Sequence, residues 1–216
     1  MKILMLIVQV LTAAIVIYGF ANWKRVKQAK LELLIFLQLI SFLTEVISVI
    51  TVSIYRNNLI GYNTFVLFET TIMLLLLGSW NSPSLFSNIL RLLSTAFLIF
   101  WSTENLFINT IWLKVGTWSL LIGGLIIVFS STIYLFKFSN ESKTNITHSP
   151  KFWVAVSYLV MCSGSSILRS IKILLDTSEA APYTQINLIH MYFHTFATLI
   201  LFKALSCLPK QQTLSS

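Results

Sequence analysis

His190 and His194 stand four residues apart in a strongly apolar stretch, and Glu45 and Glu69 lie inside two others. On a helix that spacing puts both imidazoles on one face, the geometry by which a helix offers two ligands to a metal. A carboxylate from Glu45 or Glu69 would supply a third ligand and leave a position for water, which makes zinc a candidate cofactor and metal-assisted hydrolysis a candidate reaction. Imidazole also changes charge near neutral pH, so the same histidines suit proton sensing or hydrogen bonding to Glu69. Arg169 and Lys172 add two bases to another apolar stretch. Hydrocarbon penalises every ionisable group, so each of these residues is by default a functional candidate.

Membrane helices are the elements that must position them. The 216 residues are 56% hydrophobic and only 10% charged, with a mean hydropathy of +0.81. A soluble domain usually carries about 25% charged residues, so an ordinary globular core is excluded. Stretches long enough to cross ~30 Å of hydrocarbon as helices recur at Ile3–Ala21, Leu31–Tyr55, Asn63–Trp80, Ser87–Thr103, Val115–Phe136, Phe152–Leu175 and Ile186–Leu205. Turn residues separate them, including Asn57-Asn58, Asn81-Ser82-Pro83-Ser84 and Asp176 through Pro182. The expected fold is all-α: a seven-helix transmembrane bundle occupying 1–208 as one domain, followed by a short tail at 209–216. The first apolar run exceeds a signal-peptide core and ends in Lys24, Arg25, Lys27 and Lys30, so it reads as a retained span.

The net charge of +8 does not mark a nucleic-acid-binding protein, because the bases gather between spans. Placing the first connection in the cytoplasm puts Lys137, Lys143, Lys151 and Lys210 there as well. Lys2, Arg56, Lys114, Asp176 and Glu179 then fall on the other side. The amino terminus is therefore expected outside and the carboxyl terminus in the cytoplasm. Trp23, Trp80, Trp101, Trp112 and Trp153 lie near span ends, as an interfacial belt requires. Cys162 and Cys207 fall at different depths and are expected to be free thiols.

Depth brings the polar residues together. Glu45 sits ~21 Å along an outward-running span, with Glu69, Arg169, Lys172, His190 and His194 expected in the same leaflet and Glu104 at the outer end of the fourth span. Gln38, Ser41, Glu45 and Ser48 share one helical face, as do Cys162, Ser165, Arg169 and Lys172, and Asn187, His190, His194 and Thr198. Polar faces avoid lipid tails, so they are expected to meet around a polar pocket that opens outward. Gly123-Gly124, at similar depth, allows a kink or a close helix contact. A purely structural network is the competing reading, with serine and threonine stripes as packing contacts and Arg169 paired to a glutamate.

With its seven spans, Glu69, Lys151-Phe152-Trp153, Ser163-Gly164 and His190, the chain resembles small bacterial heptahelical proteins similar to the seven-helix sensor regions attached to some histidine kinases. That resemblance implies an inner-membrane, outward-facing, receptor-like module. No kinase domain lies within these 216 residues, so it also implies a separate cytoplasmic or membrane signalling partner. The His190/His194 pair also resembles the last span of the zinc-dependent heptahelical hydrolases. Those carry a further histidine in an early span, whereas the remaining histidine here, His148, falls in a connection.

The preferred expectation is a sensor-like membrane protein rather than an enzyme. It would bind a small ligand, ion or proton through Glu45, Glu69, Arg169, Lys172, His190 and His194. The rivals are an intramembrane zinc hydrolase using His190, His194 and Glu69, and a proton-coupled transporter of small solutes.

Overall fold

A computed structural model describes residues 2–55, 57–81, 84–108, 111, 116–141, 145–175 and 180–209; for 2, 55, 169–175 and 180–187 the description extends to the backbone alone. The described residues are helical and contain no strand. The α-helices are α1 (Lys2–Ala21), α2 (Trp23–Ala29), α3 (Glu32–Tyr55), α4 (Leu59–Trp80), α5 (Leu85–Ser102), α6 (Thr117–Glu141), α7 (Pro150–Leu175) and α8 (Ala180–Ser206). A π-helical turn, Thr103–Ile108, continues α5, and a 3₁₀ turn, Ile146–His148, precedes α7. Every α-helix except α2 is long and apolar enough to cross a bilayer, which fits a multi-pass membrane protein. The expected seven spans are all present.

Local chemistry sets the helix ends. Ser84 caps α5, its side chain accepting from the backbone N–H of Ser87 at 3.2 Å. Pro150 opens α7, where its missing N–H costs nothing and its fixed φ suits the first helical position. Lys30 closes α2 in the left-handed region at φ 56°, its N–H reaching the carbonyls of Val26 and Lys27.

Several elements differ from the sequence expectation: α4 begins at Leu59 and α8 at Ala180, ahead of the expected starts at Asn63 and Ile186, and α6 runs on to Glu141. The basic segment after α1 is not an extended loop; α2 folds there because Val26 and Ala29 find buried sites. The fourth span runs past Thr103 to Ile108 through the π turn.

Helix α1 packs on α3, α3 on α4, α4 on α6, α6 on α7, α7 on α8, and α8 back on α1. Six helices thus close a ring, and α5 lies outside it against α4. Large apolar side chains such as Ile17, Leu92, Ile99, Phe129, Phe136 and Phe196 cover the outer surface, as hydrocarbon contact requires.

The bundle has two unlike halves. The larger core cluster draws on Leu34, Ile35 and Leu37 of α3, Met73, Leu74 and Leu77 of α4, Val154 and Ala155 of α7, and Ala204 and Leu205 of α8. These positions belong to the start of α3 and α7 and the end of α4 and α8, so close packing fills one half of the bundle's length. That half ends in the basic residues. Arg25 binds the carbonyls of Leu208 at 3.0 Å and Pro209 at 2.7 Å, and Asn22 Oδ1 at 3.2 Å, tying α2 to the end of α8. Trp80 Nε1 donates to the carbonyl of Lys30 at 2.8 Å, and the Lys151 ammonium lies 5.9 Å from the Trp80 ring centre. Trp153 Nε1 donates to the carbonyl of Thr147 at 2.7 Å. Lys24, Arg25, Lys27, Lys30, Lys137, Lys151 and Lys203 therefore share one end of the molecule. Lys143, Lys210, Arg56, Lys114, Asp176 and Glu179 lie outside the described residues.

Candidate functional site

The other half of the ring encloses a cavity of about 480 Å³. Helix α3 presents Ser41, Thr44, Glu45 and Ser48 to it, a run at three- and four-residue spacing that keeps one face turned inward. Glu69 and Thr70 reach it from α4, with Tyr62, Phe65 and Val66 forming an aromatic and aliphatic wall. Met161, Cys162 and Ser165 enter from α7, and His190, Met191 and His194 from α8. Helix α1 contributes Met5, Val8 and Gln9. Gly124 of α6 forms part of the wall without a side chain, and any Cβ there would meet the Ser166 hydroxyl across the α6–α7 contact. The glycine pair therefore provides the close helix approach expected of it.

The floor is held by polar contacts between helices. Gln38 Nε2 donates to the Tyr158 hydroxyl at 3.1 Å, joining α3 to α7 one turn below Ser41. Ser157 Oγ donates to the carbonyl of Ala197 at 2.8 Å, joining α7 to α8. Above this level Ser165 Oγ lies 3.0 Å from His190 Nδ1. The rings of His190 and His194 are 6.3 Å apart between centres and inclined by 55°. Glu45 Oε2 is buried with no hydrogen-bond partner.

Four of the six expected ligand-binding residues, Glu45, Glu69, His190 and His194, thus meet on one cavity. Arg169 and Lys172 lie beyond Ser165 on α7, and their side chains are outside the described residues, as is that of Asn187. Two members of the polar stripes serve the packing instead. Gln38 is spent on Tyr158, and Thr198 bonds the carbonyl of His194 within its own helix at 2.8 Å. The zinc site expected from His190, His194 and Glu69 is not assembled: among the described residues no three His, Cys, Asp or Glu side chains are placed to share an ion. Both cysteines are free thiols, Cys162 buried and Cys207 partly exposed.

Sequence reasoning placed Glu104 only at the end of a span and missed its role. Its carboxylate accepts from the backbone N–H groups of Trp118, at 2.9 Å, and Ser119, and from the Ser119 hydroxyl. It therefore caps the first turn of α6 from the end of α5, where negative charge suits the helix dipole. Asn63 of α4 works beside it, accepting from Gly116 N–H at 3.0 Å and donating to the Ile111 carbonyl at 3.3 Å. Trp101 Nε1 donates to the Asn63 carbonyl at 2.9 Å. The available signal was an acidic residue a short connection ahead of a helix start.

Compared with protein-family models, with curated proteins and with solved structures, the chain gives no match. The geometry alone therefore carries the functional argument.

Proposed function

We propose that this chain is a receptor-like membrane protein that binds a small ligand, ion or proton in the polar cavity and signals through a partner at its basic end. The observation that carries the reading is the meeting of Glu45, Glu69, His190 and His194 on one cavity. Its volume lies in the range of small-molecule sites, and its mix of apolar wall and few polar groups is their usual composition. Positive charge concentrated at one end supports a cytoplasmic placement of that end, and hence an outward-facing cavity in an inner membrane. Close packing between the floor and the basic end supports the binding reading over passage of a solute. A ligand that binds two arrangements of the ring unequally shifts their populations, and helix ends at α2 and the α6–α7 connection would present that shift to the partner.

The test is thermal unfolding of the purified protein against a panel of amines, carboxylates, sugars and nucleosides. At least one class should raise the midpoint of the wild type with concentration, and the double variant Glu45→Gln/His194→Gln should lose that response. A panel that shifts both proteins alike, or neither, overturns the proposal.

A further inference from the structure

We infer that the ligand is an amphipathic amine that enters the cavity from the bilayer, between α1 and α3. The inference rests on the binding reading above and names its ligand class. Three apolar residues line the cavity and are also exposed at its rim: Met5 of α1, and Val49 and Val52 of α3. A mouth built for a water-borne solute is rimmed by polar groups. This one presents apolar side chains to the surface that faces acyl chains, while exposed Ser53 and Asn58 mark its polar edge. The rim therefore grades from lipid to interface as an amphiphile does.

The head group follows from the interior. Glu45 lies one turn below Val49 on the same helix, about 6 Å from the rim. Its Oε2 is buried without a hydrogen-bond partner. Such a carboxyl group calls for a proton, a water or another hydrogen-bond donor, and a hydrogen-bonding cation supplies both donor and countercharge. The described residues that line the cavity include two carboxylates, Glu45 and Glu69, and two imidazoles, His190 and His194, while the side chains of Arg169 and Lys172 lie outside the described residues. An alkylammonium offers three donors, enough for Glu45 and the neighbouring hydroxyls of Ser41 and Ser48. Tyr62 and Phe65 place aromatic rings in the same wall, and these also favour a cation over an anion. The chain of the amphiphile would run past Val49 and Val52 into the acyl layer.

The probe is a diazirine-bearing dodecylamine, photo-crosslinked to the full chain in phosphatidylcholine nanodiscs. Labelling should saturate, should be competed by dodecylamine but not by dodecanoate, and should map to the segments around Met5 and Glu45. Glu45→Gln should weaken it about tenfold or more, and Glu45→Leu should abolish it, each with an unfolding midpoint no lower than that of the wild type. Equal competition by dodecanoate, or undiminished labelling of both folded Glu45 variants, overturns the amine assignment. Butylamine, read by calorimetry in detergent, separates the two levels of the argument. If butylamine binds wild type and Val49→Trp equally while dodecylamine does not label, entry from the bilayer is wrong and the cavity remains a binding site. If neither amine binds and the compound panel is also silent, both readings fall.

Discussion

Two carboxyl groups in this apolar bundle have opposite surroundings, and the contrast separates structure from function residue by residue. Glu104 accepts from two backbone N–H groups and a hydroxyl, whereas one oxygen of Glu45 has no partner although buried. Each hydrogen bond to an ionised group is worth roughly 1.5–3 kcal/mol. Glu104→Gln keeps the shape but removes the charge and turns an amide N–H₂ toward donors. It should lower stability by about 1–3 kcal/mol, measured by unfolding in mixed micelles, and leave ligand responses intact. Glu45→Leu should act in the other direction. Removing an unsatisfied buried group should stabilise the ligand-free protein by about 1 kcal/mol or more while removing the ligand response. A Glu45→Leu protein less stable than wild type would mean that Glu45 is a packing residue, and the cavity would lose its main candidate.

At the scale of elements, packing depends on small residues where helices meet. A Cβ on Gly164 of α7 would lie 2.5–2.8 Å from carbons of the Phe193 ring of α8, so the partly exposed ring would have to swing away from the helix contact. Gly164→Ala should therefore cost about 1–3 kcal/mol despite alanine's better helix propensity. In a Phe193→Ala background the same substitution should cost nothing, a coupling that a double-mutant cycle measures directly. Equal costs in both backgrounds would show that the two helices are not in contact there. The spans themselves were legible because hydrocarbon thickness dictates their length, and the stripe Ser41, Glu45, Ser48 was legible because polar faces must turn inward. Helix α2 was not legible, since its seven residues are helical only where Val26 and Ala29 find buried sites. Nor was the exclusion of α5 from the ring, because each span is apolar on most faces and the pattern does not say which neighbour covers it. Gln38 shows the same limit on a single stripe: spacing put it with Glu45, but Tyr158 across the bundle takes it out of the cavity.

For the whole molecule, the decisive asymmetry is a close-packed half capped by lysines and an open half that holds the polar cavity. Its biological meaning depends on which half faces which compartment. Under the proposed orientation, which follows the positive-inside tendency, Lys24, Arg25, Lys27, Lys30, Lys137, Lys151 and Lys203 face the cytoplasm and the cavity faces outward. The two cysteines make this measurable without engineering. Cys207 lies at the basic end, partly exposed, its Sγ 3.8 Å from the carbonyl of Thr147. Cys162 is buried beside the cavity, 4% exposed. A membrane-impermeant maleimide should label Cys207 in inverted vesicles and not in intact cells. Cys162 should react in neither preparation until the protein is unfolded, and Cys207→Ser should remove the signal from the vesicles. Labelling of Cys207 in intact cells would invert the molecule. The cavity would then draw from the cytoplasmic leaflet, and a signalling partner would have to be sought on the outer face.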